Sequence, residues 1–190
     1  GDSVPAGVRR QWEHEQALWL RARGIEYDGP RGRWRSELER LRTRERFQFE
    51  KHFNQKVQAC LDRGLGECWL QRYACARALR DEILRADGAT RHVGDFVIMP
   101  NHVHLLTTPI AGHELETILK GIKGKSAIEC NKLVGRSGRL WQPESYDRIV
   151  RDLEQLVFYR QYIADNPKRA GIEVAETAIS RAEWMSEWLT

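Results

Sequence analysis

Two histidines stand two positions apart in the run M-P-N-H-V-H-L-L over residues 99–106. Side chains alternate between the two faces of a strand, so His102 and His104 are expected to point to the same side. Two imidazoles on one side can bind one metal ion, which would make this segment a catalytic centre. The same pattern also fits a half-buried strand with two hydrogen-bonded histidines, so the pair alone leaves both interpretations open.

A phenol and an amide share one helix face in the last third of the sequence. Tyr162 and Asn166 are four residues apart in a helical pattern, which places them one turn apart on the same side. A hydroxyl and an amide oxygen would then face together whatever lies opposite this side of the helix. A buried tyrosine followed by an asparagine at a helix end would give the same pattern, so this pair is also ambiguous alone.

A β-hairpin must position the two histidines. β-Branched and aromatic residues predict one strand over residues 90–99, Pro100 interrupts it, and a second strand follows over residues 102–108. Amphipathic periodicity predicts helices over residues 69–86, 114–133 and 152–165. A D-x-x-Q signal at Asp152 starts the last of these helices, and Pro167 is expected to stop it. A short strand is predicted over residues 146–150.

The order of helices and strands predicts an α+β fold in which one antiparallel sheet is backed by helices. The length of 190 residues suits a single domain over residues 1–190. Within it, residues 6–60 are predicted to form a helical N-terminal segment. No apolar run reaches the roughly 18 residues that a membrane span needs, and no signal peptide is recognisable, so we expect a cytoplasmic protein without a membrane partner.

Positive charge is concentrated in one part of the chain. The net charge is only +4, but residues 120–151 contain eight basic residues against three acidic ones. Such a patch attracts phosphate backbones, although a solvated helix face has a similar composition. The four cysteines include no C-x-x-C pair and are expected to be reduced and structural.

Four motifs, taken together and in their order, resemble those of a known family. The run M-P-N-H-V-H-L-L is followed in order by L-W-Q at residues 140–142, Y-D-R-I-V-R at residues 146–151 and Y-I-x-x-N-P at residues 162–167. This set resembles the single-tyrosine HUH transposases, and most closely their REP-associated tyrosine transposase branch. The resemblance covers the region from about residue 60 to residue 175, and the ordered set is far more specific than any one motif.

The resemblance implies a role for each matching residue. His102 and His104 match the two histidine ligands of a divalent metal ion, Mg²⁺ or Mn²⁺, and Asn166 matches the third ligand through its amide oxygen. Asn166 stands where other single-tyrosine transposases have glutamine, as is typical of the REP-associated branch. Tyr162 matches the nucleophile, and Tyr159 is the nearest competing hydroxyl. The implied activity is cleavage and rejoining of single-stranded or hairpin DNA through a 5′-phosphotyrosine intermediate.

The resemblance also implies a fold and a partner. The fold is the ferredoxin-like, RRM-like sheet of the HUH family. In that family a strand precedes the position that Gly1 occupies here, so a sheet with one strand fewer is expected. The partner is single-stranded or hairpin DNA, and the protein is expected to be a monomer or a homodimer. The candidates for contact with the DNA backbone are Lys120, Lys123, Lys125, Arg148 and Arg151.

Three other functions remain open at this point. One is a catalytically inactive descendant that recognises hairpin DNA without cutting it. Another is an HUH nickase of the kind used in replication or plasmid transfer, although such proteins usually carry further domains. In the third, the histidine pair binds structural zinc.

Overall fold

The computed structural model describes residues 6–29, 32–62, 67–142, 145, 147–175 and 178–186. The described residues divide into two compact units, one over residues 6–62 and the other over residues 67–186. The predicted helical segment over residues 6–60 corresponds to the helices of the first unit. That the chain acts as a single domain stays a prediction. Among the helices described, none is long and apolar enough to cross a membrane.

The first unit consists of three helices, α1 (Ala6–Arg21), α2 (Trp34–Glu39) and α3 (Thr43–Asp62). They enclose an aromatic core in which Trp34, Phe49 and Phe53 are each at most 5% exposed. The rings of Trp34 and Phe49 meet edge to face with centroids 5.7 Å apart, and those of Phe49 and Phe53 lie 4.7 Å apart. These rings therefore hold the unit together by packing.

The second unit contains the predicted hairpin and its helices. A 3₁₀ helix (Trp69–Gln71) leads into α4 (Tyr73–Leu84), followed by β1 (Arg91–Ile98), β2 (Val103–Pro109) and α5 (Leu115–Leu133). The chain continues through α6 (Leu153–Arg169), β3 (Ile179–Ser180) and a second 3₁₀ helix (Glu183–Met185). The strands form an antiparallel sheet in the order β2-β1-β3. The predicted α+β class is thus confirmed.

A β-bulge interrupts the pairing of β1 with β2. Val93 pairs with Thr107 and Phe96 pairs with Leu105, so two residues of β1 lie opposite one residue of β2. The extra residue in β1 interrupts the alternation of side chains, so Gly94 and Asp95 lie on the same side of the sheet. A side chain at Gly94 would meet the sulfur of Met185 at 2.5 Å, whereas Asp95 bonds to α6.

The two faces of the sheet have different contents. On one face, Phe96 and Ile98 of β1 pack against α4 and α5 in a core that includes Leu79, Ile83 and Ile122. On the other face, Val97 and Met99 pack against Ile163 of α6. His104 pairs with Val97, and alternation along β2 therefore places it on the face that α6 covers.

The structure corrects three local predictions. The helix predicted over residues 69–86 is broken at Arg72, which has an extended backbone (φ −75°, ψ 121°). Residues 147–150 form no strand, and Tyr146 lies outside the described residues. Helix α6 does not stop before Pro167 but continues through it to Arg169. Pro167 and Ile163 are both buried, and their packing offsets the hydrogen bond that proline cannot donate.

Candidate active site

The hairpin turn brings the two histidine rings together. The Met99 N–H donates to the carbonyl of His102 at 2.9 Å and closes the turn through Pro100 and Asn101. His102 therefore lies one residue before β2, not within it, yet both rings still point to the same side. Their Nε2 atoms are 2.9 Å apart and the ring planes are nearly perpendicular, at 88°.

Burial keeps both imidazoles neutral. It lowers the pKa of His102 to about 3, with a further contribution from the charge of His104, and lowers the pKa of His104 to about 4. Asn101 Oδ1 lies 2.7 Å from His102 Nδ1 and can only accept, so Nδ1 donates. The lone pair of His102 is then on Nε2, the atom that faces His104. A carbonyl-type oxygen in this position is a common way to orient a metal-binding histidine.

Helix α6 begins with a capped turn. The Asp152 side chain accepts from the Gln155 N–H at 2.8 Å, and the Gln155 Oε1 accepts from the Arg151 N–H at 3.3 Å. The predicted D-x-x-Q start is therefore present, with Arg151 as the donor to the glutamine. Such a cap satisfies backbone donors that the first turn would otherwise leave unpaired.

Ile163 packs against Val97 and Met99, so the side of α6 that carries Ile163 lies against the sheet. The Tyr162 ring stands perpendicular to the His104 ring, with centroids 5.3 Å apart and an interplanar angle of 88°. One turn later, the Asn166 side chain is fully buried, and neither its oxygen nor its nitrogen has a hydrogen-bond partner among the residues that the structure describes. A buried amide with no partner costs roughly 1–3 kcal/mol, so its presence calls for an explanation.

The spacing of the two imidazole nitrogens is compatible with a shared divalent ion. Two imidazole nitrogens each about 2.1 Å from one ion, at a right angle, would be about 3.0 Å apart, close to the 2.9 Å between the Nε2 atoms. A hydrogen bond between neutral imidazoles has the same length, so the distance alone does not decide. In the described part of the chain, no three His, Cys, Asp or Glu side chains are grouped as ligands. The third ligand that the resemblance implies, Asn166, is a buried residue one turn along α6 from Tyr162.

The basic residues expected to contact DNA fall into two groups. Lys120, Lys123 and Lys125 lie on α5, which covers the opposite face of the sheet from the histidines. The Lys123 ammonium donates to the carbonyl of Gln142 at 3.1 Å, and that of Lys125 lies 3.5 Å from Glu82. The structure therefore does not bring these lysines to the histidine pair.

The two arginines lie before α6 and closer to the tyrosines. Arg148 donates a hydrogen bond to the Tyr159 hydroxyl, and its guanidinium lies 5.8 Å from the centre of that ring. Arg151 is exposed beside the helix cap. Tyr159, the nearest competitor of Tyr162, thus has its hydroxyl engaged by Arg148.

Sequence reasoning missed several residues around this site. Asp95 and Arg160 form a buried ion pair at 2.9 Å, which their separation of 65 residues conceals. The guanidinium of Arg169 lies 5.2 Å from the centre of the Tyr162 ring, a contact hidden by the expectation that Pro167 ends the helix. Phe158, four residues before Tyr162, was detectable from its helical spacing.

One family model matches part of the chain. Residues 86–166 match the family model described as "Transposase IS200 like", which is 81 of the 190 residues. The matched segment contains His102, His104 and Tyr162, and its last residue is Asn166. The match supports a relationship to the single-tyrosine transposases and a transposase function. No curated protein and no solved structure matches the chain.

Proposed function

We propose that this chain is a metal-dependent transposase that cuts and rejoins single-stranded or hairpin DNA through Tyr162, and that it belongs to the REP-associated branch. The observation that carries the proposal is the packing of Tyr162 on His104, one helical turn from the unpaired amide of Asn166. These three residues, with His102, lie in the segment that matches the IS200-like transposases. Asn166 in place of glutamine supports the branch.

His102, His104 and Asn166 would hold a divalent ion. A mixed set of imidazole and amide-oxygen ligands suits Mn²⁺, and Mg²⁺ accepts it less readily because it prefers oxygen. When bound, the ion supplies Lewis acidity that draws in a phosphate and stabilises the charge that develops on it. The neutral histidines need lose no proton before they bind.

Tyr162 supplies the nucleophile. A phenol is largely protonated at neutral pH, so its proton must pass to water as it attacks. Its oxygen forms a bond to the phosphorus, and the bond from phosphorus to the 3′ oxygen breaks. That oxygen leaves with the electron pair and takes up a proton to become a free 3′-OH. The DNA 5′ phosphate stays on the tyrosine as a phosphodiester.

The covalent link makes rejoining possible without ATP. The phosphotyrosine bond conserves the energy of the broken phosphodiester, so a 3′-OH from another strand can attack the same phosphorus and release the tyrosine. Single-stranded DNA is the expected substrate because a duplex holds its backbone away from a nucleophile seated between helix and sheet.

Covalent trapping tests the proposal. The protein is incubated with Mn²⁺ or Mg²⁺ and a library of labelled hairpin oligonucleotides that have randomised stems and single-stranded flanks. We expect a denaturant-resistant adduct that EDTA abolishes, from which the bound sequences can be recovered. The matched control is Tyr159→Phe, which removes the neighbouring hydroxyl and should leave the adduct, whereas Tyr162→Phe should remove it.

Each other outcome favours a different function. Tight DNA binding with no adduct would indicate a catalytically inactive hairpin-binding module. An adduct that persists in EDTA would contradict the metal dependence. An adduct formed equally by Tyr162→Phe would show that the nucleophile is wrong.

A further inference from the structure

Phe158 exposes an aromatic ring beside the proposed nucleophile. The residue is 61% exposed although it stands on α6, one turn before Tyr162. Exposed apolar side chains are common on protein surfaces and need no explanation when scattered. Phe158 is different because its ring takes part in an ordered aromatic group with two tyrosines.

Two neighbouring rings hold Phe158 in a defined orientation. Its plane is inclined by only 21° to that of Tyr162, with centroids 6.3 Å apart, and it meets the Tyr159 ring edge to face at 5.3 Å. Each such ring pair adds stabilising energy beyond that of apolar burial. A ring that is oriented in advance and still largely open can receive a further flat ring at small entropic cost.

Two arginines lie close to this aromatic group. The Arg169 guanidinium lies 5.2 Å from the centre of the Tyr162 ring, and that of Arg148 lies 5.8 Å from the centre of the Tyr159 ring. Aromatic rings alternating with cations are the usual means of binding single-stranded nucleic acid, because bases stack on the rings and phosphates lie against the cations. The same group therefore suits a strand whose phosphate reaches Tyr162.

We propose that Phe158 stacks on the nucleobase next to the phosphate that Tyr162 attacks, and so positions the single strand. This inference rests on the function proposed above and adds to it a residue that positions the strand. A second copy of the chain is the other occupant that an exposed apolar ring could receive. It is disfavoured because a copy seated on Phe158 would also cover Tyr162, which the DNA must reach.

The test measures DNA affinity in a background that cannot cut. Tyr162→Phe keeps the ring on which Phe158 packs and removes the hydroxyl, and the probe is the oligonucleotide recovered from the wild-type adduct. In this background we expect Phe158→Ala to raise Kd by about tenfold, the effect of losing one base–aromatic stack. Phe158→Trp should restore affinity. Val157→Ala, the matched control on the neighbouring exposed apolar residue, should change Kd by about twofold at most.

Abasic nucleotides identify the base that stacks. Removing the single base next to the cleaved phosphate should raise Kd about tenfold with Phe158 present and about twofold or less with Phe158→Ala, because both changes remove the same contact. The inference is overturned if the two effects multiply, or if Phe158→Ala binds as tightly as its parent. It is also overturned if Phe158→Ala instead converts a dimer to a monomer in sedimentation. Absence of any wild-type adduct would reject the proposed function itself, whereas these outcomes reject the role of Phe158 alone.

Discussion

Two clusters of buried polar side chains lie between α6 and the sheet, and they differ in how they are bonded. In the first, Arg160 donates to Asp95 at 2.9 Å and to the carbonyl of Ala182 at 3.4 Å, and the Ala182 N–H donates to Asp95 at 2.8 Å. In the second, Asn166 is equally buried but its amide bonds to nothing in the described chain. One helix thus supplies both a satisfied and an unsatisfied polar group to the same interface.

The difference separates a structural role from a functional one. Folded proteins satisfy nearly all their buried polar groups, so the bonded cluster of Asp95 and Arg160 fixes α6 on β1 and ties residues 182–186 to the sheet. A buried amide left unpaired one helical turn from Tyr162 lowers stability without a compensating contact among the described residues. Such local inconsistencies are expected at functional sites, and the missing partner that we propose for Asn166 is the metal ion.

Breaking the bonded cluster should have the largest effect on stability. Asp95→Asn keeps the shape of the side chain but leaves the Arg160 charge buried without its partner, which should lower the free energy of unfolding by about 3–5 kcal/mol. Urea unfolding followed by circular dichroism measures this. Arg77→Gln, which removes an exposed ion pair with Asp81, is the control and should cost at most about 1 kcal/mol. Equal losses in both variants would contradict the structural role.

Metal binding should act at the cluster that contains Asn166, and not at the cluster of Asp95 and Arg160. At a Mn²⁺ concentration about 100 times Kd, binding to the folded state alone adds about 2.7 kcal/mol to the free energy of unfolding. We expect a corresponding rise in Tm for the wild type, which His104→Ala should lose. A rise that survives His104→Ala would place the ion elsewhere in the protein.

Replacing the unpaired Asn166 amide with an apolar side chain should raise the stability of the metal-free protein, whereas Asp95→Asn lowers it. Asn166→Leu removes the unpaired amide and should raise the stability of the metal-free protein by about 1–2 kcal/mol, while it removes stabilisation by Mn²⁺. Thermal unfolding in EDTA and in Mn²⁺ measures both effects. If the substitution lowers stability in EDTA, the Asn166 amide is held by contacts that serve the fold.

The helix cap should matter least and should affect both clusters alike. Asp152→Ala removes the side chain that accepts from the Gln155 N–H, and should cost about 1 kcal/mol. Because α6 carries Arg160 and Tyr162 together, stability and adduct formation should both decline modestly. Loss of adduct without loss of stability would indicate that Asp152 contacts the DNA.

Local patterns in the sequence predict much of this arrangement. The hairpin around His102 and His104, the α5 boundaries within one residue and the start of α6 all follow from alternation, periodicity and capping signals. Tyr162 and Asn166 were expected on one face because helical spacing is local. The ordered motifs also indicated a transposase, which the family match supports.

Contacts between distant residues could not be predicted in this way. Nothing local to Asp95 indicates a bulge that turns it toward Arg160, because the bulge depends on how β1 and β2 pair. The extension of α6 through Pro167 depends on tertiary burial, which overrode the usual effect of proline and brought Arg169 over Tyr162. The single-domain prediction and the roles of the basic residues stay predictions.

The most direct test of the central claim is to locate the DNA on the protein by mass spectrometry after trypsin digestion of the covalent adduct. Cleavage after Arg160 separates the two tyrosines, because Tyr159 falls in the peptide over residues 152–160 and Tyr162 in the peptide over residues 161–168. We predict a nucleotide phosphodiester on Tyr162 only, formed in the presence of Mn²⁺. The same mass on Tyr159, or on neither peptide when adduct is abundant, would contradict the account.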